Sequence, residues 1–378
     1  MEEAFRAEAA AATDRQDWQR RLRILRKREI LRIGVRDIAL GVKIEEIMGE
    51  ISFLARSCCE VCLAEAWRRE SDAPQDAPEN LSVLGFGKLG GWELNYSSDI
   101  DLLAIYRSTG DADRDAEKQL YTRVFREFVK DINDFTSEGQ AYRVDLRLRP
   151  YGASGPLISS DTATLAYYRR QAAPWEFQAL IKLKPVAGNL VLGEEFLEQV
   201  KPLFHQVWEE TDPRTSIRDM REKSIAHHVG GSGSDLQEES ELLLPGFDVK
   251  NDRGGIRDIE FFLQGMQMLY SREYPEILTG NSLRGLRLLE RAGLIDADKA
   301  SRLDEYYRLF RRVEHYLQLV QNRQEHRLPA EEAERDKLAR SVSPDIPPES
   351  FYRYFGSALK EAHRIYREFI YASPSETV

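Results

Sequence analysis

Two aspartates, Asp99 and Asp101, stand two residues apart just beyond the glycine-dense run Gly85-Phe86-Gly87-Lys88-Leu89-Gly90-Gly91. On a strand, a side-chain period of two puts both carboxylates on one face. Hard divalent cations prefer carboxylate and phosphate oxygens, so such a pair beside an amide-rich turn suits Mg2+ carried on phosphate. The segment YRVDLRLRP offers a third carboxylate: Tyr142, Val144, Leu146 and Leu148 alternate with Arg143, Asp145, Arg147 and Arg149. Asp145 can therefore join Asp99 and Asp101 from a neighbouring strand. Two Mg2+ ions held about 3.5–4 Å apart by such carboxylates clamp an in-line displacement at phosphorus. The glycine loop lets backbone amides approach phosphate oxygens, helped by the charge of Lys88. The chemistry indicated is nucleotidyl transfer. Glycine turns, Asp-x-Asp pairs and Arg-Asp-Arg faces are each commonplace alone; their order, with a helix between the strands, carries the reading.

The elements that must position these residues are legible in outline. Residues 1–70 read as helix, followed by a polar linker from Ser71 to Pro78. Leu81 to Phe86 and Ile100 to Tyr106 read as strands. Leu120, Val124, Phe128 and Ile132, spaced by four, predict an amphipathic helix over 115–135. Pro150 ends the alternating strand. Ser160 or Asp161 can cap a helix through Arg170, and a second helix covers Trp175 to Lys184. Residues 214–229 read as helix and 230–246 as a flexible loop. Helices follow from Gly255 onward, broken near Tyr274-Pro275, Gly293, Pro329 and Pro344 to Pro348. Leu286, Leu289, Leu294, Leu303, Tyr307, Phe310 and Leu317 supply a bundle core. The expected fold class is α+β, mostly helical, with a small mixed sheet. The expected divisions are a helical region at 1–78, a catalytic domain at 79–212 and a helical bundle at 213–378.

Composition narrows the partners. A 378-residue chain with net charge −10 argues against nucleic acid as the main partner. One basic run, Arg20 to Arg36, reads as a helix with apolar Leu22, Leu25, Leu31 and Ile33 and an arginine-rich outer face, solvated or docked on an acidic neighbour. No run approaches the roughly 18 apolar residues of a membrane span. Cys58, Cys59 and Cys62 follow the apolar pattern of a helix and read as buried thiols, not metal ligands. Free thiols and an acidic, alanine-rich N-terminus without a signal-peptide core point to the cytoplasm.

Several longer blocks resemble one family. GFGKLGGWELNYSSDIDLL, YRVDLRLRPYGASGPL, WEFQALIKLKPVAG, MREK at 220–223 and KNDRGGIRDIEF at 250–261 are similar to the bifunctional glutamine synthetase adenylyltransferase/adenylyl-removing enzymes, over about residues 20–330. That resemblance implies a polymerase-β-like nucleotidyltransferase domain, whose G…DxD…D pattern agrees with the residue-level reading. It implies a substrate as well: a tyrosine of glutamine synthetase that receives AMP or is stripped of it. Such enzymes carry two similar halves and this chain has one. LNYSSDID, with YRVDLRLRPYGASGPL, IKLKPVAG and GGIRDIEF, is more similar to the removing half.

The resemblance implies phosphorolysis: phosphate in, ADP out. Asp99 and Asp101 would be shared ligands of two Mg2+ ions, and Asp145 a ligand of the ion beside the nucleophile. Gly87, Lys88, Gly90, Gly91 and Ser98 are candidates to hold nucleotide phosphates. Arg147 and Arg149 offer forked donors to the phosphate co-substrate, a role that pairing with nearby carboxylates rivals. Lys250, Gly254 and Gly255 precede a helix whose N-terminus suits an anion or serves as a plain helix start. Asp258 and Glu260 read as first-turn residues favoured by the helix dipole. Glu176, Lys182 and Lys184 fit packing or surface charge equally well, and His227 and His228 are given no role. The alternatives are ATP-dependent addition of AMP to the same tyrosine, a regulatory module binding PII signal protein or glutamine, and RNA nucleotidyl transfer. The intact acidic triad weighs against the second and the missing basic surface against the third.

Overall fold

The computed structural model describes residues 1–71, 79–108, 114–228, 245–321 and 323–372. The expected linker lies outside them from residue 72 to 78, and the expected loop at 230–246 lies outside them up to 244. The chain divides into two compact units. Unit 1 comprises Met1–Leu94 and Ser98–Phe204; unit 2 comprises Asn95–Ser97 and His205–Val378. The amino-terminal helices are thus part of unit 1, where a separate region at 1–78 was expected.

Unit 1 begins with α1 (Glu2–Ala10), α2 (Arg15–Ile38) and α3 (Ile44–Glu70). The Asp14 carboxylate caps α2 by accepting from the Asp17 amide at 2.9 Å. A mixed sheet follows, built from β1 (Leu81–Gly85), β2 (Ile100–Tyr106), β3 (Val144–Asp145), β4 (Ser159–Ser160) and β5 (Lys184–Gly188). Strand order is β3-β2-β1-β5, with β4 also on β2. β1 pairs antiparallel with β2 and β5, while β3 and β4 run parallel to β2. Between these strands lie α4 (Gly87–Gly90), α5 (Arg114–Asn133), α6 (Asp161–Arg170), α7 (Pro174–Leu180) and α8 (Leu190–Glu210), which passes from unit 1 into unit 2 at Phe204. Helices α3 and α5 pack together; the Tyr121 ring of α5 stacks on Tyr106 of β2 at 4.9 Å and on Trp67 of α3 at 6.1 Å. The apolar face of α5 supplies buried Val124, Phe128 and Ile132.

The three cysteines are fully buried in α3, and burial pushes the Cys58 thiol up to about 12. Thiols in that state are packing groups. The basic run of α2 is largely paired at close range: Arg15 with Glu127, Arg21 with Asp17 and Glu8, Arg36 with Glu50. Arg23 is buried and donates to the carbonyls of Gly139, Asp131 and Asp134. Leu31, expected on the apolar face, is exposed.

Unit 2 is helical: α9 (Pro213–His228), α10 (Ile256–Tyr270), α11 (Ser282–Arg291), α12 (Ala297–Gln321), α13 (Glu332–Val342) and α14 (Pro348–Tyr371). Its core includes Leu286, Leu289, Leu303, Tyr307, Phe310 and Leu317. Asn95, Tyr96 and Ser97 belong here as well. The Asn95 side-chain oxygen accepts from buried Arg311 and lies 3.0 Å from His315 Nε2, and the Ser97 amide donates to Gln318 at 3.1 Å. Among the described residues no helix is long and apolar enough to cross a membrane.

Candidate active site

The sheet sets the geometry of the acidic residues. In the parallel pairing of β2 with β3, Ile100 stands beside Val144 and Asp101 beside Asp145. Neighbouring strands lie about 4.8 Å apart, so the register brings these two carboxylate-bearing residues side by side. Asp99 immediately precedes β2, two residues before Asp101, and its Oδ1 accepts from Arg143 Nε. Arg143 stands two residues before Asp145, and its carbonyl accepts from the Ile100 amide at 2.9 Å.

Short as it is, β3 is pinned at its base. Asn133, the last residue of α5, accepts from the Val144 amide at 3.1 Å, and the Ala141 and Tyr142 amides both donate to the Ile132 carbonyl. Arg23 braces the intervening turn from α2 through three backbone carbonyls. A buried cation on carbonyls is costly to remove, so Asp145 has a firm footing. Its charge is well supported too. Burial pushes the Asp145 carboxyl up, but hydrogen bonds from the Arg147 guanidinium and amide hold it below the ordinary carboxylate range.

The expected strand continues no further than Asp145. The Arg147 amide turns back to Asp145 Oδ1 at 2.8 Å, an Asx-type turn that bends the chain before Pro150. Arg149 then departs from its expected role. Its guanidinium donates to the carbonyls of Pro156, Leu146, Ala153 and Gly155 and braces the 151–156 loop, which leaves it poorly placed to hold phosphate. Arg147 differs: its side chain is 82% exposed, and an ion pair so open to water contributes about 0–1 kcal/mol. It can exchange Asp145 for another anion at little cost.

The glycine loop is a single helical turn. The Gly90 amide bonds the Phe86 carbonyl and the Gly91 amide the Gly87 carbonyl, so neither is directed at a phosphate as expected. Gly87, at φ +56, lies against the site: a Cβ there would be 3.1 Å from Asp101 Oδ2, while the Phe86 amide donates to the Asp101 carbonyl at 2.8 Å. Gly90 serves close packing, since a Cβ would meet the Lys182 carbonyl at 1.7 Å and the Gly85 carbonyl at 2.4 Å. Gly90→Ala should therefore destabilise the chain by about 1–3 kcal/mol or more, read as a lowered melting temperature. Gly49→Ala in α3, where nothing lies within 4 Å of the new Cβ, should be neutral or stabilising. Lys88 and Ser98 are both half-buried, at the start of that turn and one residue before Asp99.

Behind the turn, Lys182 Nζ lies 3.2 Å from Glu93 Oε2, both buried. Of the two readings open to Lys182, packing or surface charge, the buried pair favours packing. Glu176 is likewise internal, accepting from the Tyr167 hydroxyl and the Ala173 amide. Lys184 is on β5 beside Gly85. In unit 2, the α10 N-terminus is not open to an anion: the Ile256 and Arg257 amides bond the carbonyls of Val249 and Lys250, and the Gly254 amide bonds Asp258. Asp258 is no exposed dipole partner; it is fully buried against Arg221 at 2.7 Å and His363 at 2.7 Å.

Among the described residues, no three carboxylate, imidazole or thiol groups converge closely enough to grip a metal ion. Asp101 and Asp145 are adjacent, but Asp99 is turned to Arg143 and Asp145 to Arg147. Both arginines are exposed enough for these pairs to be weak. The donor set, oxygen ligands with hard-cation character, fits Mg2+ once the arginines yield.

Comparison with known proteins gives a consistent result. Residues 1–199 match the family model described as glutamate-ammonia ligase adenylyltransferase, and residues 218–370 match that of GlnD PII-uridylyltransferase. A bifunctional glutamine synthetase adenylyltransferase/adenylyl-removing enzyme of Thioalkalivibrio sulfidiphilus is 33% identical over 347 residues, covering 89% of this chain and 34% of that protein. Those of Streptomyces avermitilis (34% identical; 85% of this chain, 31% of the relative) and Rhizobium meliloti (36%; 72% and 27%) are similar. The chain spans about a third of the length of these relatives. With more than half its length matched by one family model, and with Asp101 and Asp145 paired in register beside the glycine turn, the chain belongs to the glutamate-ammonia ligase adenylyltransferase family.

Proposed function

We propose that the protein removes AMP from an adenylylated tyrosine of glutamine synthetase by phosphorolysis. The observation that carries this reading is the in-register pair Asp101–Asp145 beside Gly87, joined to a motif, LNYSSDID, similar to that of the adenylyl-removing half. In the reaction an oxygen of inorganic phosphate attacks the phosphorus of the AMP–tyrosine diester. The new phosphorus–oxygen bond makes ADP, the bond to the tyrosyl oxygen breaks, and that oxygen takes up a proton. Phosphate carries negative charge at neutral pH, so no strong general base is required. The leaving tyrosyl oxygen has an ordinary pKa of about 10, so its developing charge needs stabilising.

The chain's own groups divide this work. Asp101 and Asp145, with Asp99 after release from Arg143, would hold two Mg2+ ions. The chemistry supplied by such a bound pair is charge stabilisation at the attacking and leaving oxygens. Arg147, exposed and weakly paired, is the group suited to capture incoming phosphate with its forked donors. Lys88, at the start of the α4 turn, adds positive charge toward the nucleotide phosphates. The match of residues 218–370 to the uridylyltransferase model supports unit 2 as the part that senses PII protein, and we place the enzyme's work in the cytoplasm.

The test is to incubate the chain with adenylylated glutamine synthetase and Mg2+, with and without phosphate, following ADP. Phosphate-dependent ADP release is expected. Incorporation of AMP from labelled ATP into unmodified synthetase, with no phosphate-dependent release, would overturn the direction.

A further inference from the structure

Helix α2 turns Trp18, Leu22, Arg23, Leu25 and Ile33 inward. Its outer side is not uniformly polar. Ile24, Leu31, Val35 and Ile38 are 41%, 69%, 50% and 61% exposed. Single exposed apolar residues are ordinary, but these four form a pattern. Together with exposed Arg28 they occupy positions 24, 28, 31, 35 and 38, a spacing of four, three, four, three. That is the seam of a coiled coil, whose knobs need a second helix to fill.

The charge within the seam selects the occupant. The basic residues flanking it already pair with acidic residues of this chain: Arg20 with Asp17, Arg21 with Glu8, Lys27 with Glu138, Arg32 with Glu29 and Glu50, and Arg36 with Glu50. Arg28 is the lone polar member of the seam and makes no ion pair among the described residues. A single polar seam residue fixes register and partner choice. A second copy of α2 would bring another Arg28 into the seam and no carboxylate to meet either, which is repulsive. An anionic membrane would meet Arg28 in the middle of the apolar row, at the depth where hydrocarbon should be. An acidic helix satisfies both the row and its charge.

We propose that the outer seam of α2 docks an acidic amphipathic helix, with apolar residues interleaved among Ile24, Leu31, Val35 and Ile38 and a carboxylate facing Arg28. This site is separate from the acidic residues of the sheet and does not depend on the catalytic reading.

The probe is a pair of synthetic four-heptad peptides with the same leucine–isoleucine seam. One carries glutamate at the flanking positions and opposite Arg28; the other carries lysine there. Binding to the full 378-residue chain is read by fluorescence anisotropy. The glutamate peptide should bind at least about tenfold more tightly than the lysine peptide, a difference of roughly 1.4 kcal/mol. Arg28→Glu should invert that preference, and Leu31→Gln with Val35→Gln should abolish binding of either. All three positions are exposed, so circular dichroism of the variants should match the parent. Equal binding of both peptides, no binding of either, or a preference unmoved by Arg28→Glu would overturn the proposal. So would association with phosphatidylserine vesicles alone, or dimerisation of the chain that Leu31→Gln removes.

Discussion

Asp101→Asn should lower phosphate-dependent ADP release from adenylylated glutamine synthetase by about 10²–10³-fold or more, while circular dichroism and melting temperature stay within experimental scatter. The substitution keeps the shape of the side chain and removes one negative charge from the pair that stands in register across β2 and β3. Transition-state charge stabilised by a fixed electrostatic group is worth about 3–4 kcal/mol of barrier, which sets the scale. The fold should tolerate the change because the backbone at Asp101 is held independently: its carbonyl accepts from Phe86, and β2 is paired along both edges. Near-normal turnover would remove Asp101 from the chemistry. A collapsed melting curve would make its role structural.

The largest stability effect should come from unit 2. Asp258→Ala leaves the Arg221 guanidinium, 1% exposed, with its charge uncompensated in the interior. Breaking a buried pair from one side costs about 3–5 kcal/mol, or on the order of 10 °C in melting temperature for a unit of this size. The pair joins α9 to α10, and His363 extends it to α14. Burial pushes the Asp258 carboxyl up, but the His363 hydrogen bond, the Arg221 charge and the Gly254 amide hold it below its ordinary value. A depressed carboxylate contributes stability above its unfolded pKa of about 3.9 and loses that contribution as pH falls through the folded value. Urea melts should therefore show a constant gap between parent and variant from pH 7 to about 5. The gap should shrink below pH 4, where protonated Asp258 no longer offsets Arg221. A gap that widened in acid would contradict the assignment.

Much of this architecture could be read from residue patterns. The spacing of four in Leu120, Val124, Phe128 and Ile132 gave α5, and the apolar run before Tyr106 gave β2, because each element buries one face or two. The strict alternation of YRVDLRLRP identified the correct face for Arg143 and Asp145 but overstated the strand. A side chain bonding its own backbone, Asp145 to the Arg147 amide, stops the ladder, and alternation cannot register that. The helix expected over Trp175 to Lys184 stops at Leu180, and Lys184 opens strand β5, whose Pro185 and Gly188 mask a strand pattern. As an edge strand it has no need of the missing amide.

The site was partly legible for the same reason. Asp101 and Asp145 are set by strand register, which period and order encode. Arg149, Gly90 and Asp258 were read by residue type as phosphate holder, phosphate cradle and dipole partner. Their actual neighbours, four loop carbonyls, the Lys182 backbone and Arg221, are brought close only by the fold. Asn133 and Arg23, which fix β3, carry no local signal at all: one ends a helix and the other lies within a run of arginines.

The central claim is that carboxylates meeting across β2 and β3 hold divalent cations together with nucleotide. Its most direct test is titration of the chain with Mn2+ in the presence of ADP, counting free Mn2+ by electron paramagnetic resonance. Two bound ions are expected in the parent, with loss of both in the Asp101→Asn, Asp145→Asn double variant. Undiminished Mn2+ binding by that double variant would contradict it.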